Sequence, residues 1–234
     1  MKKVILLSFY LCSLVFANNE FFSINQNDDI NFTINDFEIE KFGEYDKIIV
    51  SNKIGSPGLI GMPKLPSYST LLMVDPSKKY RIEYVVKKSS FINDINIIPN
   101  QHIVKGLERE QVLDKNLKFY NSSDKFPSTN VSISDKMTMR DIVVLNLSII
   151  PFNYFPETHQ LEVYESIEIN LIEDGVDIET NTLIDRPQSK VFERIYENEI
   201  LNYSRNTRND EYQMPSILYI CSGSSENNGS FQQL

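Results

Sequence analysis

Wherever apolar residues cluster in this chain they mostly alternate with polar ones, and a period of two is that of a β-strand with one buried face. Ile30, Phe32 and Ile34 alternate in this way, and Phe37 and Ile39 repeat the pattern before Gly43 interrupts it. Ile48 to Val50 reads as a further short strand. Leu71 to Val74, a turn at Asp75-Pro76-Ser77 and Tyr80 to Val86 read as a hairpin, with Tyr80, Ile82, Tyr84 and Val86 on one face. The longest run, Ile142 to Phe152, is nearly continuous in β-branched and apolar residues. Pro156-Glu157-Thr158-His159 supplies its turn, and Leu161, Val163, Ile167, Ile169 and Leu171 form the return. The expected architecture is mainly β, two packed antiparallel sheets over about residues 25 to 180.

Two stretches interrupt the strands. Gly55, Pro57, Gly58, Gly61, Pro63 and Pro66 rule out a helix between Ser51 and Ser69. From Asn93 to Asn130 the periodicity weakens while charge and Asn rise, the mark of a long irregular segment, which is often a functional one.

One segment carries a helical period instead. Phe192, Ile195, Tyr196, Glu199, Ile200 and Tyr203 fall at i, i+3/i+4 spacing, with Pro187 near the start, so an amphipathic helix is expected near 188 to 203, packed on the sheet. Residues 204–214 are polar and read as a linker. Ile217 to Ile220 opens a new apolar strand, expected to begin a second domain of which residues 215–234 are the first part.

The first seventeen residues are organised differently. Lys2 and Lys3 precede an apolar run from Val4 to Leu14, and Val15-Phe16-Ala17 suits a signal peptidase, so cleavage after Ala17 and export are expected. The run is shorter than the roughly 20 residues of a membrane-spanning helix. Leu11 ahead of Cys12 is unsuited to lipid attachment. After the cut Cys221 is the one cysteine, which excludes an internal disulfide framework.

Composition then narrows the function. At 234 residues and 41% hydrophobic content the chain can bury a real core, and a net charge of -9 repels rather than grips a phosphate backbone, so nucleic acid is not an expected partner. Cysteine-peptidase chemistry needs a thiol activated by an imidazole, but Cys221 ends the last strand while His102 and His159 lie in a loop and a turn. Ser222-Gly223-Ser224 lacks the spacing of a nucleophile elbow. There is no His-x3-His, paired Cys or calcium loop, and no metal or other cofactor is expected.

Four motifs in order resemble the prodomains of gingipain-like cysteine peptidases. They are Gly61-Met62-Pro63-Lys64-Leu65-Pro66; Met139-Arg140-Asp141-Ile142 with Pro151-Phe152-Asn153-Tyr154-Phe155-Pro156; Leu161-Glu162-Val163-Tyr164 with Ile167-Glu168-Ile169; and Phe192, Tyr196 and Asn202-Tyr203. The resemblance implies a β-sandwich prodomain over residues 18–203 that covers the cleft of its own downstream caspase-like α/β peptidase domain, keeps it latent and assists its folding. It also implies a basic side chain presented to the specificity pocket, here Lys105 or the nearby Arg109, and an activation cut in the linker after Arg208 or Arg205. On that reading the chain itself is not an enzyme. A secreted β-sandwich adhesion module is the alternative.

Overall fold

A computed structural model describes residues 21–34, 36–50, 58–101, 113–177, 189–204 and 212. In chain order the elements are β1 (Phe22–Ile24), β2 (Ile30–Thr33), β3 (Phe37–Phe42), β4 (Tyr45–Val50), β5 (Tyr68–Val74), β6 (Lys78–Ile92), α1 (Leu117–Tyr120), β7 (Val131–Ile133), β8 (Met137–Met139), β9 (Ile142–Ile149), β10 (Phe152–Phe155), β11 (Gln160–Val176) and α2 (Lys190–Glu199). The strands build two antiparallel sheets and a separate β3–β4 hairpin, the sandwich expected from the alternation.

The first sheet is organised by β11. β6 runs along one of its edges, from Leu161↔Ile92 to Val176↔Lys78, while β10 and then β2 share the other edge, with β1 outside β2. In the second sheet β9 is central, flanked by β5 on one side and by β7 and β8 in succession on the other.

The strand period explains the core. Phe32, Phe152, Tyr154, Leu161, Val163, Ile167 and Ile169 from the first sheet and Leu147 and Ile149 from the second are fully buried in one cluster. Each such side chain contributes about 1.5–3 kcal/mol by leaving water. The near-continuous apolar run of β9 has a further cause. Leu147 and Ile149 face the sandwich, whereas Ile142 and Val144 face outward against α2.

α2 is shorter than the expected helix and its buried face is rotated. Phe192, Tyr196 and Ile200 pack on Leu71, Met73, Ile142 and Val144, but Ile195 is 37% exposed and the acidic Glu193 is fully buried in its place. The buried side chains on the helix are Glu193 and Tyr196, one helical turn apart.

Two expected strand pairings are corrected. Leu71–Val74 and Tyr80–Val86 do not form a hairpin: β5 pairs with β9 and β6 with β11, so Asp75-Pro76-Ser77 is a corner between the sheets. Lys136 ties that corner, its Nζ donating to Pro76 O at 2.7 Å and Lys78 O at 2.9 Å and pairing with Asp177 at 2.7 Å. Likewise the run from Ile142 to Phe152 is not one strand. It breaks at Ile150-Pro151, where proline cannot extend a ladder. Buried Asn130 holds the break, its Nδ2 donating to Ile150 O at 2.8 Å while Ile150 N donates to Asn130 O at 2.8 Å. The return strand therefore pairs with Phe152–Phe155 and with β6, not with β9.

The signal segment with its cut after Ala17, and the strand from Ile217 to Ile220 with Cys221, lie outside the described residues. Among the described residues no helix is long and apolar enough to cross a membrane.

Candidate functional site

The irregular segment between β6 and β7 is built around a neck. Residues 95–101 run between two supports. On one side Asp46 of β4 exchanges backbone bonds with Asn96 O at 2.7 Å and Ile98 N at 3.0 Å, and its buried carboxylate accepts from Asn96 N at 2.8 Å. On the other side the Gly-x-Pro segment pairs as a short strand: Gly61 N donates to Asn100 O at 2.8 Å, Asn100 N to Met62 O at 2.7 Å and Lys64 N to Ile98 O at 2.9 Å.

Beyond this pairing the chain leaves at Gln101 and returns at Asp114. The Gln101 side chain closes the gap, Nε2 donating to Asp114 O at 2.7 Å and Oε1 accepting from Asp114 N at 2.9 Å. A side-chain amide thus stands in for a peptide unit and joins two points thirteen positions apart. After the return, Asn116 caps α1 by accepting from Phe119 N at 3.1 Å, and Tyr120 OH donates to Ile97 O at 2.9 Å. Lys115 Nζ sits 4.4 Å from the Tyr120 ring centre, a cation over an aromatic face.

Gly61 is required here for two reasons. Its φ is +80°, and a Cβ there would stand 3.1 Å from Asn116 N, which itself donates to Gly61 O at 3.0 Å. Gly61→Ala is therefore expected to cost about 1–2 kcal/mol in urea unfolding. An unchanged urea midpoint would show that the neck is not as tight as this geometry makes it.

A second constraint governs where the chain leaves the sandwich after α2. Ile200 makes a parallel bridge to Leu71 on the outer edge of β5, and Leu201 N donates to Leu71 O at 2.9 Å. Asn202 then repeats the device of Gln101, its Oδ1 accepting from Met73 N at 2.7 Å and its Nδ2 donating to Met73 O at 2.8 Å. Tyr203 OH donates to the buried Glu193 at 2.5 Å, and its ring lies 5.3 Å from Tyr196. Tyr196 OH in turn donates to Asp141 at 2.7 Å. The chain is held through Tyr203.

Lys105, Arg109 and His102 lie outside the described residues, within the span enclosed by the neck, and Arg205 and Arg208 lie outside them beyond the α2 anchor. Sequence reading singled out the Gly61 motif and Asn202-Tyr203 but not Gln101, whose role has no periodicity to betray it. Among the described residues no group of three or more His, Cys, Asp or Glu side chains could hold a metal ion. A groove of about 500 Å³ beside the β5–β6 corner is lined by Asp75, Asp141 and Glu173 among others. Those carboxylates are already engaged by Ser77, Tyr196 and Lys78.

Comparison with known proteins points the same way. The family model Propeptide_C25 matches residues 31–209. Gingipain R2 of Porphyromonas gingivalis is 27% identical over 145 residues, 61% of this chain but 20% of the relative. Gingipain R1 of the same organism is 25% identical over 163 residues, 68% of this chain and 16% of the relative. The chain thus spans about a fifth of the length of these relatives. Among solved structures, the complex of Porphyromonas gingivalis RgpB pro- and mature domains superposes with a TM-score of 0.63 at 21% identity, covering 75% of this chain and 92% of that one. A structure addressing the zymogenic latency of gingipain K from Porphyromonas gingivalis gives 0.53 at 19% identity, covering 63% and 86%.

Proposed function

The chain belongs to the Propeptide_C25 family, and from that premise we propose that it is the latency-conferring propeptide of an exported gingipain-like cysteine endopeptidase, covering the active-site cleft of its own peptidase domain and assisting that domain to fold. In this reading the chain supplies no catalytic group of its own.

The observation that carries the proposal is the neck. An inhibitory loop must reach a pocket without being drawn out as substrate, and ordering it on binding costs conformational entropy. The Gln101–Asp114 bonds hold both ends of the 102–112 segment together before any partner arrives, which lowers that cost. Within the segment Lys105 is the expected pocket residue and Arg109 the nearby substitute. A cation entering a desolvated, carboxylate-bearing pocket gains a charge-assisted hydrogen bond.

The test is inhibition in trans. Added to a gingipain-type peptidase, the chain is expected to inhibit, and Lys105→Ala or Arg109→Ala to weaken inhibition about tenfold, the value of one charge-assisted contact of roughly 1.5 kcal/mol. Full inhibition by both variants would remove these residues from the role. No inhibition by the unaltered chain would remove the function.

The α2 anchor bears on activation. A protease cleft takes several extended residues on each side of the cut. Tyr203 is held by Glu193 and Tyr196, so a cut after Arg205 would draw anchored chain into the cleft. Arg208 stands five positions beyond Tyr203 and is the proposed site. N-terminal sequencing of the peptidase released from its precursor is expected to begin at Asn209. A start at Asn206 would transfer the site to Arg205, and the exported precursor itself is expected to begin at Asn18, after Ala17.

A further inference from the structure

Most strand edges among the described residues are short or covered. Residues 200–202 lie along the outer edge of β5, and Phe126 exchanges backbone bonds with Tyr154 of 3.0 and 2.8 Å along β10. β6 is different. It is fifteen residues long, and among the described residues its one strand partner is β11. Near its start Lys78 O is taken by Lys136, but Tyr84, Val85 and Phe91 are exposed, Val85 at 53% and Phe91 at 57%. A long edge with apolar side chains is a template for another strand.

Lysines often guard such edges, and β6 carries Lys78, Lys79, Arg81, Lys87 and Lys88. Here most of that charge is already matched: Lys78 pairs with Glu173, Arg81 with Glu83, Lys87 with Glu168 and Lys88 with Glu165. Each of these four cations thus has an acidic neighbour in its own copy, which lowers the net charge along the edge while leaving the partly exposed side chains able to meet a second strand.

The sequence of β6 is also complementary to itself. Counted along the sequence, across the register shift that the β6–β11 ladder shows between Lys88 and Val86, two copies paired antiparallel about Val85 place Val85 opposite Val85, Tyr84 opposite Val86, Arg81 opposite Ser89, Lys79 opposite Phe91, and Glu83 opposite Lys87 twice. No like charges meet. A slip of two residues one way sets Arg81 against Lys87, and a slip of two the other way leaves Glu83 facing Ser89 with no ion pair. Slips of four set Glu83 against itself or Lys87 against itself. Opposite charges across an antiparallel pair stabilise it and like charges destabilise it, so one register stands apart.

We propose that this chain associates with a second copy of itself through the edge of β6 that faces away from β11, the two strands pairing antiparallel about Val85 with Glu83 of each copy opposite Lys87 of the other. The inference is independent of the latency reading.

Sedimentation and cross-linking of the full chain test it. In a background with both native cysteines removed, Cys12→Ser and Cys221→Ser, Val85→Cys is expected to form a disulfide-linked dimer on mild oxidation, because facing residues in an antiparallel pair lie about 4.5–5.5 Å apart at Cα, within disulfide reach. Val191→Cys, on the exposed side of α2, is the control that should remain unlinked. Glu83→Lys alone and Lys87→Glu alone are each expected to weaken association about tenfold. An equimolar mixture of those two variants should regain it, since both facing pairs are then opposite in charge. A chain that sediments as a monomer throughout the micromolar range overturns the proposal. So does cross-linking of Val85→Cys no greater than that of Val191→Cys. Failure of the mixture to recover, with both variants still folded by melting temperature, overturns the register.

Discussion

Between pH 10 and 12 the protein is expected to lose about 3 kcal/mol of stability per pH unit, enough to bring it close to unfolding at the upper limit. Three tyrosines cause this. Tyr68, Tyr120 and Tyr154 are 2%, 9% and 0% exposed, and burial raises the pKa of all three, that of Tyr154 to about 12. At Tyr120 the neighbouring Tyr154 and Tyr45 add to the effect of burial. The folded chain holds these protons more tightly than the unfolded chain, whose phenols titrate near 10. The stabilisation is therefore complete below pH 10 and is lost as the pH rises through the folded values. Between pH 10, where the unfolded phenols are half ionised, and pH 12, where Tyr154 is half ionised in the fold, each tyrosine contributes about 2 kcal/mol, so the three together lose about 6 kcal/mol, comparable with the whole stability of a domain this size. Urea midpoints stepped through this range, with phenolate absorbance followed in parallel, measure the loss. Titration of all tyrosines near pH 10 with the fold intact would refute the assignment. Tyr68→Phe should reduce the slope by about a third. It should leave the neutral-pH stability equal or higher, because the Tyr68 hydroxyl is buried without a hydrogen-bond partner.

Tyr196→Ala is expected to cost about 3–5 kcal/mol and to free α2 while the sandwich stays folded. α2 has ten residues, too few for an isolated helix to persist in water, so its order rests on tertiary contacts. Tyr196 is central to them: it is 1% exposed, packs with Ile142, Val144 and Ile200, meets the rings of Phe192 and Tyr203 at a tilt, and donates its hydroxyl proton to Asp141, with Met139 O 3.1 Å away. Hydrogen exchange resolves the two outcomes. Amides of residues 190–199 should lose protection while those of β9 and β11 keep theirs. Tyr196→Phe, which removes the hydroxyl alone, should cost about 1.5–3 kcal/mol for a bond to a carboxylate. If the alanine variant leaves α2 protected, the contacts that order α2 lie elsewhere.

Strand positions and their buried faces were legible because a period of two is a local property, written into each segment wherever the segment ends up. Ile167 and Ile169 of β11, or Phe152 and Tyr154 of β10, need no knowledge of their partners to show which side is wet. α2 was legible for the same reason at its own period, except that Ile195 and Glu193 exchange roles. Apolar spacing cannot anticipate that a carboxylate will be buried because Tyr203, ten residues on, donates to it.

Pairing was another matter. Asp75-Pro76-Ser77 and Ile150-Pro151 look locally like the turn of a hairpin and an interior point of a strand, yet each carries the chain from one sheet to the other. Which outcome occurs depends on groups remote in sequence: Lys136 at the first corner, Asn130 at the second, and β11, which pairs along its length with β6. The amides of Gln101 and Asn202 are the extreme case. Each copies a peptide group against a backbone position, Asp114 and Met73, that composition and spacing do not indicate. The chain's own residues determined the strands, their faces and the prodomain motifs, because those depend on neighbours a few positions away. The tertiary structure alone decided the corners, the neck and the α2 anchor, because each is a hydrogen bond whose partner comes near only when the sheets have packed.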